Sequence, residues 1–68
     1  MDYYINTLID DKGYYVIHQY GCEHMPITLN RMFLGNFYDC FSAMRVAIEY
    51  SYPKANGCYW CCRECHMP

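Results

Sequence analysis

The chain has 68 residues, five basic against seven acidic, with six cysteines and thirteen aromatic side chains, nine of them tyrosine. At that length one domain is expected over residues 1–68, and apolar burial alone scarcely offsets the lost chain entropy, so a covalent or metal staple is needed. The formal charge of -2 weighs against nonspecific binding to phosphate backbones, which basic surface drives.

Residues 3 to 9 and 14 to 20 are rich in aromatic and β-branched types. The Asp10-Asp11-Lys12-Gly13 stretch between them has the polar, glycine-ended composition of a turn, so the pair reads as a β-hairpin. Alternation then places Tyr14, Val16, His18 and Tyr20 on one face, with Tyr15, Ile17 and Gln19 on the other. Residues 21 to 26 break this pattern. The run Arg31-Met32-Phe33-Leu34, closed by Gly35-Asn36, reads as a third strand.

Asp39 is placed to cap a helix from Cys40 to Ser51, because its carboxylate can accept from the free amides of the first turn. On that helix Cys40, Met44, Ala47, Ile48 and Ser51 form the inward stripe, and Arg45 and Glu49 pair at i,i+4 outside it. Pro53 stops the helix, and Asn56-Gly57 turns the chain into the last segment. The expected fold is therefore α+β: a β-hairpin or three-stranded antiparallel sheet packed on one helix and stapled by zinc.

Four of the six cysteines fall in the last eleven residues, as Cys58-Tyr59-Trp60-Cys61-Cys62-Arg63-Glu64-Cys65-His66, while His18, Cys22 and His24 lie far upstream. A tetrahedral Zn2+ site is commonly built from two such ligand pairs, each close in sequence and distant from the other. Cys58 and Cys61 have Cys-x-x-Cys spacing, and so do Cys62 and Cys65. Because Cys61 and Cys62 are adjacent, the two knuckles conflict over one ion, which leaves one site with spare thiols or two sites.

The preferred metal set is His18, Cys22, Cys58 and Cys61, which joins the hairpin end to the segment after the helix. Cys62, Cys65, His66 and His24 are the alternatives or a second set. Cys40 belongs with them only as a spare thiol, since its simplest role is a small buried residue on the helix stripe. Disulfides remain open, with 15 pairings for six cysteines. The echo between Cys22-Glu23-His24-Met25-Pro26 and Glu64-Cys65-His66-Met67-Pro68 is short enough to be coincidence.

The order His18-Gln19-Tyr20-Gly21-Cys22, a helix opening Asp39-Cys40-Phe41-Ser42-Ala43, then Cys58-Tyr59-Trp60-Cys61 resembles the metal-binding domain of Ada-type DNA repair proteins and related nuclease-associated zinc modules. The resemblance spans residues 14 to 61 and implies a zinc-stapled fold that could contact nucleic acid. Cys40, the tail Cys62-Arg63-Glu64-Cys65-His66 and the few basic residues near the knuckles depart from that pattern.

Three functions follow as expectations. The first is a structural zinc module that binds a protein partner without catalysis. The second is a nucleic-acid-binding zinc domain, disfavoured by charge, and the third a thiol-redox protein using Cys-x-x-Cys. The last expects its motif at a helix N-terminus, where the first thiol's pKa falls, yet here the motif follows Asn56-Gly57. No paired carboxylates, Ser-His arrangement or Gly-rich phosphate loop suggests an enzyme. The opening Met1-Asp2-Tyr3-Tyr4 carries no basic and apolar leader, and no run approaches a membrane span. A cytoplasmic, monomeric module is the expectation, and in a reducing compartment clustered thiols favour metal over disulfides.

Overall fold

The computed structural model describes residues 1–68. Strand β1 (Asp2–Asn6) pairs antiparallel with β2 (Tyr15–Gln19) on one side and with β3 (Arg31–Asn36) on the other. Helix α1 (Cys40–Glu49) follows, then a short strand β4 (Ala55–Gly57) that runs parallel to β2. The sheet order is β3-β1-β2-β4, so the fold is α+β with a four-stranded mixed sheet. The hairpin, the third strand and the helix all form. Asn56-Gly57, expected as a turn, instead belongs to the added strand β4.

That strand is dictated by the approach of two backbones. Val16 faces Asn56 and Ile17 faces Gly57 across the parallel pair, and the Cys58 amide extends it by donating to the Ile17 carbonyl at 2.9 Å. Gly57 has no substitute there. A Cβ on it would lie 2.6 Å from the Cys62 carbonyl oxygen and 2.7 Å from the Cys65 Cβ, well inside van der Waals contact. The Asn56 side chain closes the same strand onto the chain end, donating to the Met67 carbonyl at 2.9 Å and accepting from its amide at 2.7 Å.

Both hairpin strands are shorter than their composition suggests, and side-chain hydrogen bonds explain why. The Asn6 side-chain oxygen accepts from the Leu8 amide at 2.9 Å, turning the chain out of the sheet and leaving Leu8 and Ile9 exposed. Asp10 then organises the loop, one carboxylate oxygen accepting from the amides of Lys12 and Tyr14. Short polar side chains that offer the backbone such bonds compete with ladder formation.

The core lies between the sheet and α1. Ile5 and Ile17 are fully buried opposite one another, and Ala43 and Ala47 meet them with no exposed surface. Small residues on the helix let it approach the sheet closely. Asp39 caps α1 as expected, accepting from the Ser42 amide at 3.0 Å. The inward stripe differs from the expected one: Cys40, Ala43 and Ala47 are buried, whereas Ile48 is 52% exposed. The helix also ends before Ser51, which takes a left-handed conformation with φ 77° after Tyr50 has closed the last turn. The helix therefore terminates by its own C-terminal turn, upstream of Pro53.

Cys40 is not a free thiol. Its sulfur is bonded to that of Cys65, joining the first residue of α1 to the C-terminal segment across 25 residues. Cys40 is buried on the helix stripe as expected, but the bond corrects the reading of it as a free thiol and removes both cysteines from the pool of metal ligands. It also departs from the expectation that a reducing compartment keeps these thiols reduced.

Candidate metal centre

His18 stands one residue from the end of β2, on the face opposite Ile17. The chain then turns at Gly21, whose φ of 88° is in the left-handed region that glycine enters without steric cost. That turn brings Cys22 back beside His18. On the other side Cys58 is held directly after β4, and its carbonyl accepts from the Cys62 amide at 2.9 Å, curling the knuckle so that Cys61 faces the same point.

The result is one compact donor set. One ring nitrogen of His18 and the sulfurs of Cys22, Cys58 and Cys61 all lie within 4.8 Å of one another, with His18 and Cys58 buried and the other two half-buried. These four residues lie close enough to hold one metal ion. The sulfurs of Cys22 and Cys58 are 3.9 Å apart; zinc–sulfur bonds of about 2.3 Å at tetrahedral angles imply an edge of about 3.8 Å.

Each sulfur of the set also receives a backbone amide. Gln19 N–H donates to Cys61 Sγ at 3.2 Å, His24 N–H to Cys22 Sγ at 3.4 Å, and Trp60 N–H to Cys58 Sγ at 3.4 Å. Such donors stabilise charge accumulating on sulfur and orient the ligand, as the outer shell of a metal site does. The imidazole supplies the sharper indication. Nδ1 of His18 is buried and has no hydrogen-bond partner, a condition that costs about 1 to 3 kcal/mol in a folded protein unless something else satisfies the atom.

Protonation states fit the same reading. Burial, with the nearby His24 adding to it, pushes His18 down from 6.5 to about 4, so its ring is neutral at pH 7 and keeps a lone pair free. Burial pushes the Cys61 thiol up, and the Cys62 thiol likewise. A protein-only pocket thus holds these sulfurs protonated, and a cation entering it must displace protons.

The remaining candidates fall outside the set. Cys62 is buried, its sulfur 3.8 Å from that of Cys61. Cys65 is consumed by the bond to Cys40, so the second knuckle, Cys62 with Cys65, is not assembled. His66 turns its Nδ1 to the Gly57 carbonyl at 3.0 Å. His24 stacks on Trp60, with centroids 5.0 Å apart and planes at 18°.

No family model, curated protein or solved structure matches this chain. The order of ligand motifs remains the sole link to Ada-type domains. The Cys40–Cys65 bond is what the motif reading missed, although one signal was present: Cys40 and the cysteine tail are the two features that exceed the four-ligand pattern, and they pair with each other.

The knuckle also carries an exposed aromatic ridge. Trp60 is 66% exposed and meets Tyr59 edge-on at 4.8 Å, and Tyr59 in turn meets His66 edge-on at 5.4 Å. The Arg63 guanidinium lies 4.8 Å above the Tyr59 ring and donates to its hydroxyl at 3.1 Å. No helix of the protein is long and apolar enough to cross a membrane.

Proposed function

We propose that this chain is a zinc-binding module in which His18, Cys22, Cys58 and Cys61 hold one structural Zn2+, and that it acts through protein interaction without catalysis. The observation that carries the metal is the convergence of one His18 ring nitrogen with three sulfurs, in an imidazole whose buried Nδ1 has no hydrogen-bond partner. Zinc is favoured over harder cations because thiolate and imidazole donors suit it and tetrahedral closure needs four ligands. A closed four-ligand site leaves no open position for chemistry. The Cys58-Tyr59-Trp60-Cys61 motif follows strand β4, without the helix N-terminus that activates redox thiols.

The ridge formed by Trp60, Tyr59 and His66, with His24 stacked on Trp60, is the surface that such a site would fix in place. Exposed tryptophan and tyrosine are typical of interface centres. Protein is favoured over nucleic acid because bound zinc with three thiolates would carry the formal charge from -2 to -3 (-2 - 3 + 2). Two of the five basic side chains are also engaged internally, Arg63 on Tyr59 and Arg31 on the Tyr4 ring and the Pro26 carbonyl.

Zinc titration of the chelator-treated chain tests the metal, with near-ultraviolet circular dichroism as readout: the aromatic signal should change up to one equivalent, stay constant beyond it, and revert on chelation. Trp60→Ala tests the surface. It should keep the metal and the fold while losing a protein that the parent retains, and retention of the same proteins by both chains would refute the ridge as the interface. A steeply salt-dependent isotherm to DNA or RNA would turn the reading toward nucleic acid.

A further inference from the structure

Cys62 has no place in the four-ligand set, yet it is buried against it. Its sulfur lies 3.8 Å from that of Cys61, and Cys61 is one of the two half-buried ligands. Both residues line a cavity of about 310 Å3 whose wall also includes Tyr3, Gln19, Cys40, Asp39 and Glu64. Among the four proposed ligands only Cys61 faces this cavity. A small molecule entering it meets one ligand sulfur and one spare thiol together.

We infer that Cys61 and Cys62 form a peroxide-reactive dithiol that releases the metal when oxidised. This rests on the metal-site reading above. The Cys61 sulfur, a thiolate while the site is metal-loaded, attacks one oxygen of a hydroperoxide; the O–O bond breaks, hydroxide or alkoxide leaves, and Cys61 becomes a sulfenic acid. The Cys62 sulfur then attacks the Cys61 sulfur, the S–O bond breaks, and the Cys62 thiol proton leaves with that oxygen as water. Two sulfurs have given up two electrons, which reduced the peroxide bond, and the metal has lost one of its four donors. The carboxylates of Asp39 and Glu64 in the cavity wall favour a neutral hydroperoxide over an anionic oxidant.

The product bond joins neighbours in sequence. Their Cα atoms are about 3.8 Å apart, as in any trans peptide, which is shorter than the usual disulfide span of about 4.4 to 6.8 Å. A bond under that constraint is readily reduced, so the oxidation reverses when a thiol reductant and the metal are restored.

The test uses the zinc-loaded full chain treated with hydrogen peroxide, its zinc content first fixed by native mass spectrometry. Release is followed with a chromogenic chelator and the sulfur bonds by peptide mapping. The parent should lose its one zinc and gain a bond between Cys61 and Cys62, both reversed by dithiothreitol with added zinc. Cys62→Ser and Cys62→Ala should each bind one zinc, release it at least fivefold more slowly, and accumulate a Cys61 sulfenic acid that dimedone traps. Release at the parent rate in a zinc-loaded variant, or a bond joining Cys22 to Cys58 instead, would overturn the inference and leave the metal site standing. A parent chain that binds no zinc before peroxide is added would overturn both.

Discussion

The sulfurs of Cys22 and Cys58 lie 3.9 Å apart although 36 residues separate them in the chain. A metal held by both closes that loop. In the loop-entropy description of a cross-link, closure at this separation is worth about 4 kcal/mol through the unfolded chain alone. Cys58→Ser is therefore expected to lose about that much stability in zinc-containing buffer. A Cys58→Ser chain that melts at the parent temperature would contradict this.

The Cys40–Cys65 bond works independently of the metal. Spanning 25 residues, it should contribute about 3 to 4 kcal/mol by the same entropy argument. The Cys40→Ala, Cys65→Ala double variant is expected to lose that much stability in urea while still binding one zinc. If the pair served as ligands instead, the variant's zinc stoichiometry would fall.

His18 gives the metal-free chain a pH dependence of defined sign. Its pKa falls from 6.5 to about 4 on folding, so between those values the unfolded chain binds more protons than the folded one. The contribution is fully present above pH 6.5 and is lost as pH falls toward 4, amounting to about 3 kcal/mol at most. Urea midpoints of the metal-free parent should decline through that window, and those of His18→Gln should decline less. Parallel curves would count against a buried neutral imidazole.

Two backbone positions make simpler predictions. Asp39→Ala removes the acceptor for the Ser42 amide and should cost about 1 kcal/mol of stability with zinc binding intact. Gly57→Ala forces a Cβ into the backbone of Cys62 and Cys65. Overpacking of that kind costs about 1 to 3 kcal/mol, and because it displaces the knuckle it should also weaken zinc affinity. Unchanged affinity in Gly57→Ala would mean that the knuckle relaxes without consequence.

The hairpin, the capped helix and the central donor set are legible in the sequence because each rests on local chemistry. Alternation marks β2, Asp39 marks the start of α1, and paired ligands at short spacing mark the two halves of the site. Strand β4 is not legible, since three residues pairing in parallel with β2 leave no periodic pattern, and Asn56-Gly57 has the composition of a turn. The expected helix stripe includes Cys40 and Ala47, which are buried, but takes Met44 and Ile48 where Ala43 packs instead, because close approach to the sheet selects a small side chain over a strongly apolar one. Cys40–Cys65 could not be chosen from 15 pairings without knowing that α1 begins beside the chain end.

X-ray absorption at the zinc edge of the zinc-loaded chain tests the central claim most directly. The proposed site predicts three sulfurs at about 2.3 Å and one nitrogen at about 2.0 Å from a single zinc. Four sulfurs would place Cys62 in the site in place of His18, and a shell of oxygen and nitrogen alone would contradict the account.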